Sequence, residues 1–235
     1  MKFSRIVLFL IVSLCVQNAF ALDRMWNMRF TFGPEARPVP KFGAGVGMRS
    51  DFGSNVLFPI NIMGSLNKDW ELGAKLDVYT YNQLDNMEAS VDFGGRYRMG
   101  AARFIELDGY FGLNRNNGGA LVVTYGKEHY IAKNFSNAYE ARAGILEGVT
   151  GEDGYVKFGL GTIPTLHFGN SFLCMIEITS SGSVGHLKDD FMVDIIPKLE
   201  VAFGATRVRV EFDIGVMQDK NNDQKSIALY VMTAL

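Results

Sequence analysis

The amino-acid sequence predicts an all-β protein: a single antiparallel β-barrel of about twelve strands, with about ten or fourteen strands as the alternatives. Apolar and polar residues alternate along nearly the whole chain after residue 41, as they do in strands that have two different faces. Tight turns alternate with longer polar loops. Beyond the N-terminal region, no stretch approaches the ~18 consecutive apolar residues of a membrane-spanning helix.

The clearest pair of strands lies between Asp190 and Val216. Every second residue from Phe191 to Phe203 is apolar, and the alternation resumes at Val208 after a tight turn at 204–205. The charged faces of the two strands carry Asp190, Asp194, Lys198 and Glu200, then Arg207, Arg209, Glu211 and Asp213. A two-residue turn places Lys198 opposite Glu211 and Glu200 opposite Arg209. Opposite charges across a ladder stabilise it by roughly 0.2–1 kcal/mol.

This hairpin by itself also fits a soluble β-sandwich, which has alternating strands of its own. Strands of soluble proteins run only about 5–6 residues, whereas a tilted strand that crosses a bilayer needs ~9–11. The strands predicted here are closer to the longer class. A charged interior with an apolar exterior is typical of an outer-membrane barrel with short periplasmic turns and longer outer loops. The sequence therefore predicts a transmembrane β-barrel.

The N-terminus predicts export from the cytoplasm. Lys2 and Arg5 precede a mostly apolar run over 6–16, and residues 19–21 (Ala-Phe-Ala) provide a small-x-small cleavage pattern. These are the features of a secretory signal peptide. We expect residues 1–21 to be removed, residues 22–41 to form a lead-in or a first strand, and residues 42–235 to form the barrel. Loss of Cys15 would leave Cys174 without an intramolecular disulfide partner.

The other strands follow in order, and the final one runs to the end of the chain. They are predicted at 42–50, 56–66, 70–80, 90–99, 104–113, 121–125, 139–145, 155–168, 172–179 and 227–235. The tight turns fall at 67–69, 101–103, about 168–170 and 204–205, and the longer loops at 81–88, 114–119, 148–154, 180–188 and 219–224. Residues 126–138 break this regularity and also fit a brief helix. Around the turn at 101–103, the pattern places Arg98 opposite Glu106 and Arg96 opposite Asp108.

The charged residues on the inward face of these strands are the candidate functional set. We expect them to line the lumen, either as ion pairs that hold the barrel closed or as the wall of a water-filled pore. The set is Glu71, Lys75, Asp77, Asp92, Arg96, Arg98, Glu106, Asp108, Glu140, Arg142, Lys198, Glu200, Arg207, Arg209, Glu211 and Asp213. Lys157, Glu177 and Asp194 lie on the same face. Mixed signs argue against a strongly ion-selective pore.

The chain offers little sign of catalysis or of a cofactor. Its three histidines are His129, His167 and His186. His186 stands near two aspartates and three residues after Ser183, but no nucleophile motif surrounds that serine, so a solvated loop is the better interpretation. The glycines of 43–47 lie within an alternating strand with no helix after them, unlike a phosphate-binding loop. We expect no enzyme activity, no catalytic or metal site and no cofactor.

Composition excludes one class of partner. The chain has 23 Lys and Arg against 25 Asp and Glu, a formal net charge of −2, which argues against a nucleic-acid partner. The 26 glycines and the 12% aromatic content suit strands, tight turns and the aromatic girdles of a membrane barrel. The expected partners are outer-membrane lipid and small solutes.

Two resemblances complete the prediction. The last strand, 227–235, resembles the C-terminal signal by which outer-membrane barrels are recognised by the barrel-assembly machinery, although it ends in Leu235 rather than Phe or Trp. The segments LNKDWELGAKL (66–76) and IIPKLEVAFG (195–204) resemble the phenol-degradation (meta-pathway) outer-membrane family. That resemblance implies an outer-membrane location and passage of small molecules. The expected function is a passive channel, and the alternative is a closed structural or surface-interaction barrel without transport.

Overall fold

A computed structural model describes residues 41–50, 56–81, 86–100, 102–113, 119–146, 155–169, 171–184, 191–217 and 225–234. The described residues form twelve strands in one closed barrel, and each strand pairs antiparallel with its neighbours in sequence. The first strand also pairs with the last, from Gly43 opposite Ala234 to Ser50 opposite Ile227, and this pairing closes the barrel. The prediction of an all-β barrel of about twelve strands is confirmed.

The strands are eight to fourteen residues long. In chain order they are β1 (Gly43–Ser50), β2 (Val56–Ser65), β3 (Trp70–Tyr81), β4 (Asn86–Arg98), β5 (Arg103–Gly112), β6 (Gly119–Ala132), β7 (Phe135–Leu146), β8 (Tyr155–Phe168), β9 (Phe172–Ser183), β10 (Met192–Phe203), β11 (Thr206–Met217) and β12 (Lys225–Ala234). All twelve exceed the ~5–6 residues usual in soluble sheets, and all but β1 reach the ~9–11 residues needed to cross a bilayer.

The two faces of the wall differ as the alternation predicts. Side chains that point outward are large, apolar and exposed, as for Leu72, Phe93 and Leu107. Side chains that point inward are buried and mostly polar, as for Glu71 and Asp92, with an apolar cluster of Ala138, Ile163, Leu173 and Met175 on β7–β9. This arrangement is the reverse of a soluble protein, which buries its apolar side chains and exposes its charged ones. Because exposed apolar surface of this extent is unfavourable in water, the exterior matches a lipid environment.

The two ends of the barrel differ in the length of their connections. Between the described strands, the connections at one end (66–69, 99–102, 133–134, 169–171 and 204–205) have two to four residues. Those at the other end have four to eight. In the turn at 204–205, Phe203 pairs with Thr206, and Gly204 has φ 62°, a left-handed conformation that glycine adopts without steric cost. The predicted asymmetry of turns and loops is present.

The interpretation of residues 126–138 was wrong. In place of a long connection or a brief helix, the hairpin of β6 and β7 continues to a two-residue turn at 133–134. Lys127 and His129 point outward near this turn and are exposed, so polar residues occupy the face that is apolar elsewhere. Because polar residues stand on the outer face here, the sequence does not show the alternation of apolar and polar residues that marks the other strands. For the same reason β6 and β7 are longer than the strands predicted at 121–125 and 139–145.

The predicted register of the β4–β5 hairpin was also wrong. Glu106 lies opposite Arg96 and not opposite Arg98, and Asp108 lies opposite Gly94. The Met99 N–H donates to the carbonyl of Arg103 at 2.8 Å, which places the turn one position earlier than predicted and shifts the pairing by two residues. A shift of two keeps every side chain on its face, so alternation could not detect it. The predicted β10–β11 register, with Lys198 opposite Glu211 and Glu200 opposite Arg209, is confirmed.

Smaller differences concern loop boundaries. Strand β4 begins at Asn86, inside the loop predicted at 81–88, and β9 runs to Ser183, inside the loop predicted at 180–188. The signal peptide, most of the lead-in at 22–41 and His186 lie outside the described residues. Within the described ranges, no helix is long and apolar enough to cross a membrane.

Candidate functional site in the barrel interior

The wall formed by β3, β4 and β5 carries the first group of inward charges. Lys75 Nζ lies 2.9 Å from Asp77 Oδ2 on its own strand and 2.8 Å from Asp92 Oδ2 on β4. Lys75 and Asp92 are directly paired across the two strands. One ammonium therefore faces two carboxylates, and all three side chains are buried.

Arginines form the next layer of this wall, toward the short turns. Arg96 donates from Nε and Nη2 to Glu106 Oε2, at 2.9 and 2.6 Å. Its guanidinium carbon lies 3.9 Å from the ring centroid of Phe104, a geometry that adds cation–π attraction. Arg98 donates to Glu71 Oε1 at 3.3 Å. Each of these arginines is thus held by a carboxylate on a neighbouring strand.

Two aromatic rings of the barrel interior lie against glycines on neighbouring strands. A Cβ added to Gly126 would come within 2.1 Å of the Phe104 ring, so only glycine leaves room for that ring against β6. Phe104 is 1% exposed. Gly47 plays the same part on β1, where a Cβ would meet the Tyr230 ring at 2.4 Å. These close approaches fill part of the interior with rings as well as charges.

The wall formed by β9, β10 and β11 carries the second group. Lys198 Nζ lies 2.6 Å from Glu177 Oε2 and 2.9 Å from Glu211 Oε1. Glu200 accepts from Arg209 Nε and Nη2 at 2.9 and 2.6 Å. Arg207 Nη1 donates to the other oxygen of Glu200 at 2.7 Å. These contacts join neighbouring strands, and Arg209 Nη1 also lies 3.8 Å from Glu211 Oε1 on its own strand.

Arg49 joins this second group although it was not among the predicted site residues. Its Nη2 lies 3.6 Å from Glu211 Oε2 and 3.9 Å from Asp213 Oδ2. Arg49 is on β1 and its partners are on β11, so it reaches across β12. Ala228 pairs with Arg49 on one side and with Glu211 on the other, and its small side chain leaves the path open. The alternation of 43–49 was the only signal for Arg49 in the sequence.

A third group lies on β6, β7 and β8. Arg142 donates to Glu140 on the same strand. Nearer the short turns, Ser136 Oγ donates to Glu128 Oε1 at 2.9 Å and lies 2.8 Å from His167 Nε2. In a hydrolytic triad the imidazole stands between the hydroxyl and the acid, whereas here the hydroxyl stands between them. Ser136 has 0% exposure, so the arrangement cross-links three strands and does not present a nucleophile.

The sixteen predicted site residues all lie on inward positions of their strands. Among them, Arg207 keeps the largest exposed side-chain fraction, 44%, because it stands next to the turn at 204–205. Lys157, Glu177 and Asp194 are buried as well. Arg49, Glu128 and Ser136 were not predicted from the sequence. Within the described ranges, no three His, Cys, Asp or Glu residues are grouped so that they could hold a metal ion.

A closed antiparallel barrel with a charged interior and an apolar exterior defines the class of protein: a membrane β-barrel of the outer-membrane type. No protein-family model matches the sequence, and no curated protein matches it. The resemblance to the phenol-degradation family is therefore not established as membership.

Solved structures share the fold. The KdgM porin is 10% identical, with a TM-score of 0.59 over 82% of this chain and 99% of that chain. The NanC porin is 10% identical, with a TM-score of 0.58 over 83% and 98%. LpxR from Salmonella typhimurium is 5% identical, with a TM-score of 0.58 over 82% and 100%. At these identities the likeness concerns the fold.

Proposed function

We propose that this protein is an outer-membrane barrel that acts as a passive channel for small solutes, through a lumen lined by the sixteen charged residues. The observation that carries the proposal is the contrast between its faces: apolar and exposed outside, charged inside, around twelve described strands. An exterior of this kind needs lipid, and a polar interior suits water and hydrated solutes.

The comparisons support the same function. Two of the similar structures, KdgM and NanC, are porins by name. The segments 66–76 and 195–204 resemble a family associated with passage of small molecules, which points in the same direction. LpxR shares the fold without that name, so the fold alone does not separate a channel from other barrels. We propose no enzyme activity and no cofactor for this chain.

A closed structural barrel is the second candidate, and burial of the interior charges favours it. Lys157 and Asp77 have 0% exposure, and Lys75 and Lys198 each lie within 3 Å of two carboxylates. Interior ion pairs of this quality can link strands across the barrel and fill its lumen. In that case the function belongs to the longer loops.

We also propose the route to the membrane. Residues 1–21 would direct export and be removed. The final strand would be recognised by the barrel-assembly machinery, since β12 is the strand that must pair with β1 to close the barrel. The longer connections would then face the outside and the short turns the periplasm.

Conductance of the refolded protein in planar bilayers tests the channel. We expect stepwise openings, and we expect neutralisation of Arg96, Arg98 or Arg209 to glutamine to change the single-channel current because these charges stand in the path of ions. Arg103→Gln is the matched control, since Arg103 is exposed on the outer face at the short-turn end, and it should leave the current unchanged. A folded barrel that is silent in bilayers and admits no sugar in liposome swelling would favour the closed structural barrel.

A further inference from the structure

We propose that the β3–β5 wall binds small monovalent cations in transit and makes the channel prefer cations to anions. The inference rests on the channel function proposed above. Its basis is a local surplus of buried carboxylates formed by Asp77, Asp92 and Asp108, which lie on three adjacent strands.

Lys75 is shared between two of these acids. Its ammonium contacts Asp77 Oδ2 at 2.9 Å and Asp92 Oδ2 at 2.8 Å. The second oxygen of each carboxylate, Oδ1, has no hydrogen-bond partner although it is buried. A single positive charge thus serves two negative charges and leaves oxygen atoms available to a ligand.

Asp108 is the third acid, and neither of its carboxylate oxygens has a hydrogen-bond partner. Its exposure is 0%. Its cross-strand neighbours are Gly94 on β4 and Val122 on β6, and neither side chain has a charge or a donor. The register sets this isolation. In one direction along β4, two residues from Gly94, the diagonal neighbour of Asp108 is Asp92, which is another acid.

The diagonal neighbour in the other direction is a base with a partner of its own. Arg96 makes two hydrogen bonds to Glu106 Oε2 and stacks on the Phe104 ring. Neither carboxylate oxygen of Asp108 accepts a hydrogen bond from Arg96 or from another base.

The opposite side of the barrel is closer to balance, which makes the surplus local. On β9–β11, Glu177 and Glu211 share Lys198, and Glu200 holds two arginines. Arg49 adds a positive charge 3.6 Å from Glu211 and 3.9 Å from Asp213. Each of these acids has a base within the distance of an ion pair. We therefore expect these carboxylates to bind a mobile cation less well than an unpaired carboxylate does.

An unpaired buried carboxylate is costly, so it takes up either a proton or a cation. Hydroxyl oxygens, which suit a small hard cation, lie on the same wall. Ser90 lies opposite Asp77, and its hydroxyl is 3.4 Å from Tyr79 Oη. Tyr110 lies opposite Asp92. Since the described acids do not converge on one point as metal ligands do, we infer weak, transient binding. Rings and patches of acids of this kind give pores their preference for cations.

The test is the reversal potential of the refolded barrel under a gradient of KCl, which yields the ratio of K⁺ to Cl⁻ permeability. We expect a ratio above one for the wild type and a fall to about one in Asp108→Asn. Asp108→Glu should keep the wild-type ratio because it keeps the charge. Asp69→Asn, in the turn between β2 and β3, removes the same charge outside this wall and should leave the ratio unchanged.

Each outcome decides between the two proposals. A conducting channel without preference for K⁺ overturns the cation site and leaves the channel standing. A wild-type ratio in Asp108→Asn means that Asp108 holds a proton, and this also overturns the cation site. A folded barrel without conductance overturns the channel function, and the cation site with it. If Asp108→Asn fails to fold, the wild-type ratio still tests the preference.

Discussion

At the scale of single residues, the inward charges act as pairs that specify register. Burying an ion pair gains little net stability, because desolvation of both groups offsets their attraction. Leaving one partner alone is far worse, at about 3–5 kcal/mol. Arg96 and Glu106 are both buried and face each other directly. A misaligned pair of strands would bury these charges without partners, so the pairs penalise the wrong register.

A charge swap tests this register. Arg96→Glu and Glu106→Arg should each destabilise the barrel, and the double variant should recover ~1 kcal/mol or more beyond additivity, because the two side chains are in direct contact. The measurement is urea unfolding in lipid vesicles, followed by tryptophan fluorescence.

Arg98 provides the matched control for the swap. It lies opposite Phe104 and bonds Glu71, so Arg98→Glu combined with Glu106→Arg should show additive losses. Recovery in the Arg98 pair, with additive losses in the Arg96 pair, would restore the register that places Arg98 opposite Glu106.

At the scale of elements, β5 and β6 fit together through a ring placed on a glycine. Phe104 occupies the space where Gly126 lacks a side chain, and the Arg96 guanidinium lies over its ring. Three strands are thus connected by one stack of glycine, ring and cation. The stack lies close to the short turn between β4 and β5, where it supports the beginning of β5.

A methyl group at Gly126 should disturb this stack. We expect Gly126→Ala to cost ~1–3 kcal/mol, the usual effect of overpacking, because the new Cβ would stand 2.1 Å from the Phe104 ring. Gly95→Ala is the control: its Cβ would meet Leu72 at an ordinary 3.5 Å. Equal unfolding free energies for the two variants in vesicles would contradict the stacking.

At the scale of the whole molecule, closure of the barrel leaves no free sheet edge among the described strands. All twelve have two neighbours, so backbone groups in the wall are paired, as a bilayer requires. The outward apolar side chains form the surface that lipid must cover. The cost of a charge on that surface depends on its depth in the membrane.

Lysine substitutions should reveal this depth. Leu107 is 50% exposed in the middle of β5, and Ile131 is 57% exposed two residues before the turn at 133–134. We expect Leu107→Lys to destabilise the barrel by ~2–4 kcal/mol and Ile131→Lys by ~0–1 kcal/mol. Unfolding of both variants from vesicles measures the difference. Similar small effects at the two positions would place Leu107 outside the hydrocarbon layer.

Alternation was enough to predict the barrel and the side on which each charge lies. The side-chain period of a strand is two, so the inward position of Lys75, Asp92 or Glu211 follows from the local sequence. The full length of the β6–β7 hairpin could not be predicted from alternation, because Lys127 and His129 stand on the outer face near the turn. There the chain faces no hydrocarbon, and the outer face need not be apolar.

The sequence by itself determined the fold, the approximate strand count and the two faces of the wall. Only the tertiary structure decided which charges meet. A shift of two residues preserves every face, so Arg96 and Arg98 were equivalent partners for Glu106 until the turn was placed. Arg49 and Glu211 are 162 positions apart in number and meet because β1 closes on β12 across Ala228. Such contacts depend on closure of the whole barrel, which no local pattern encodes.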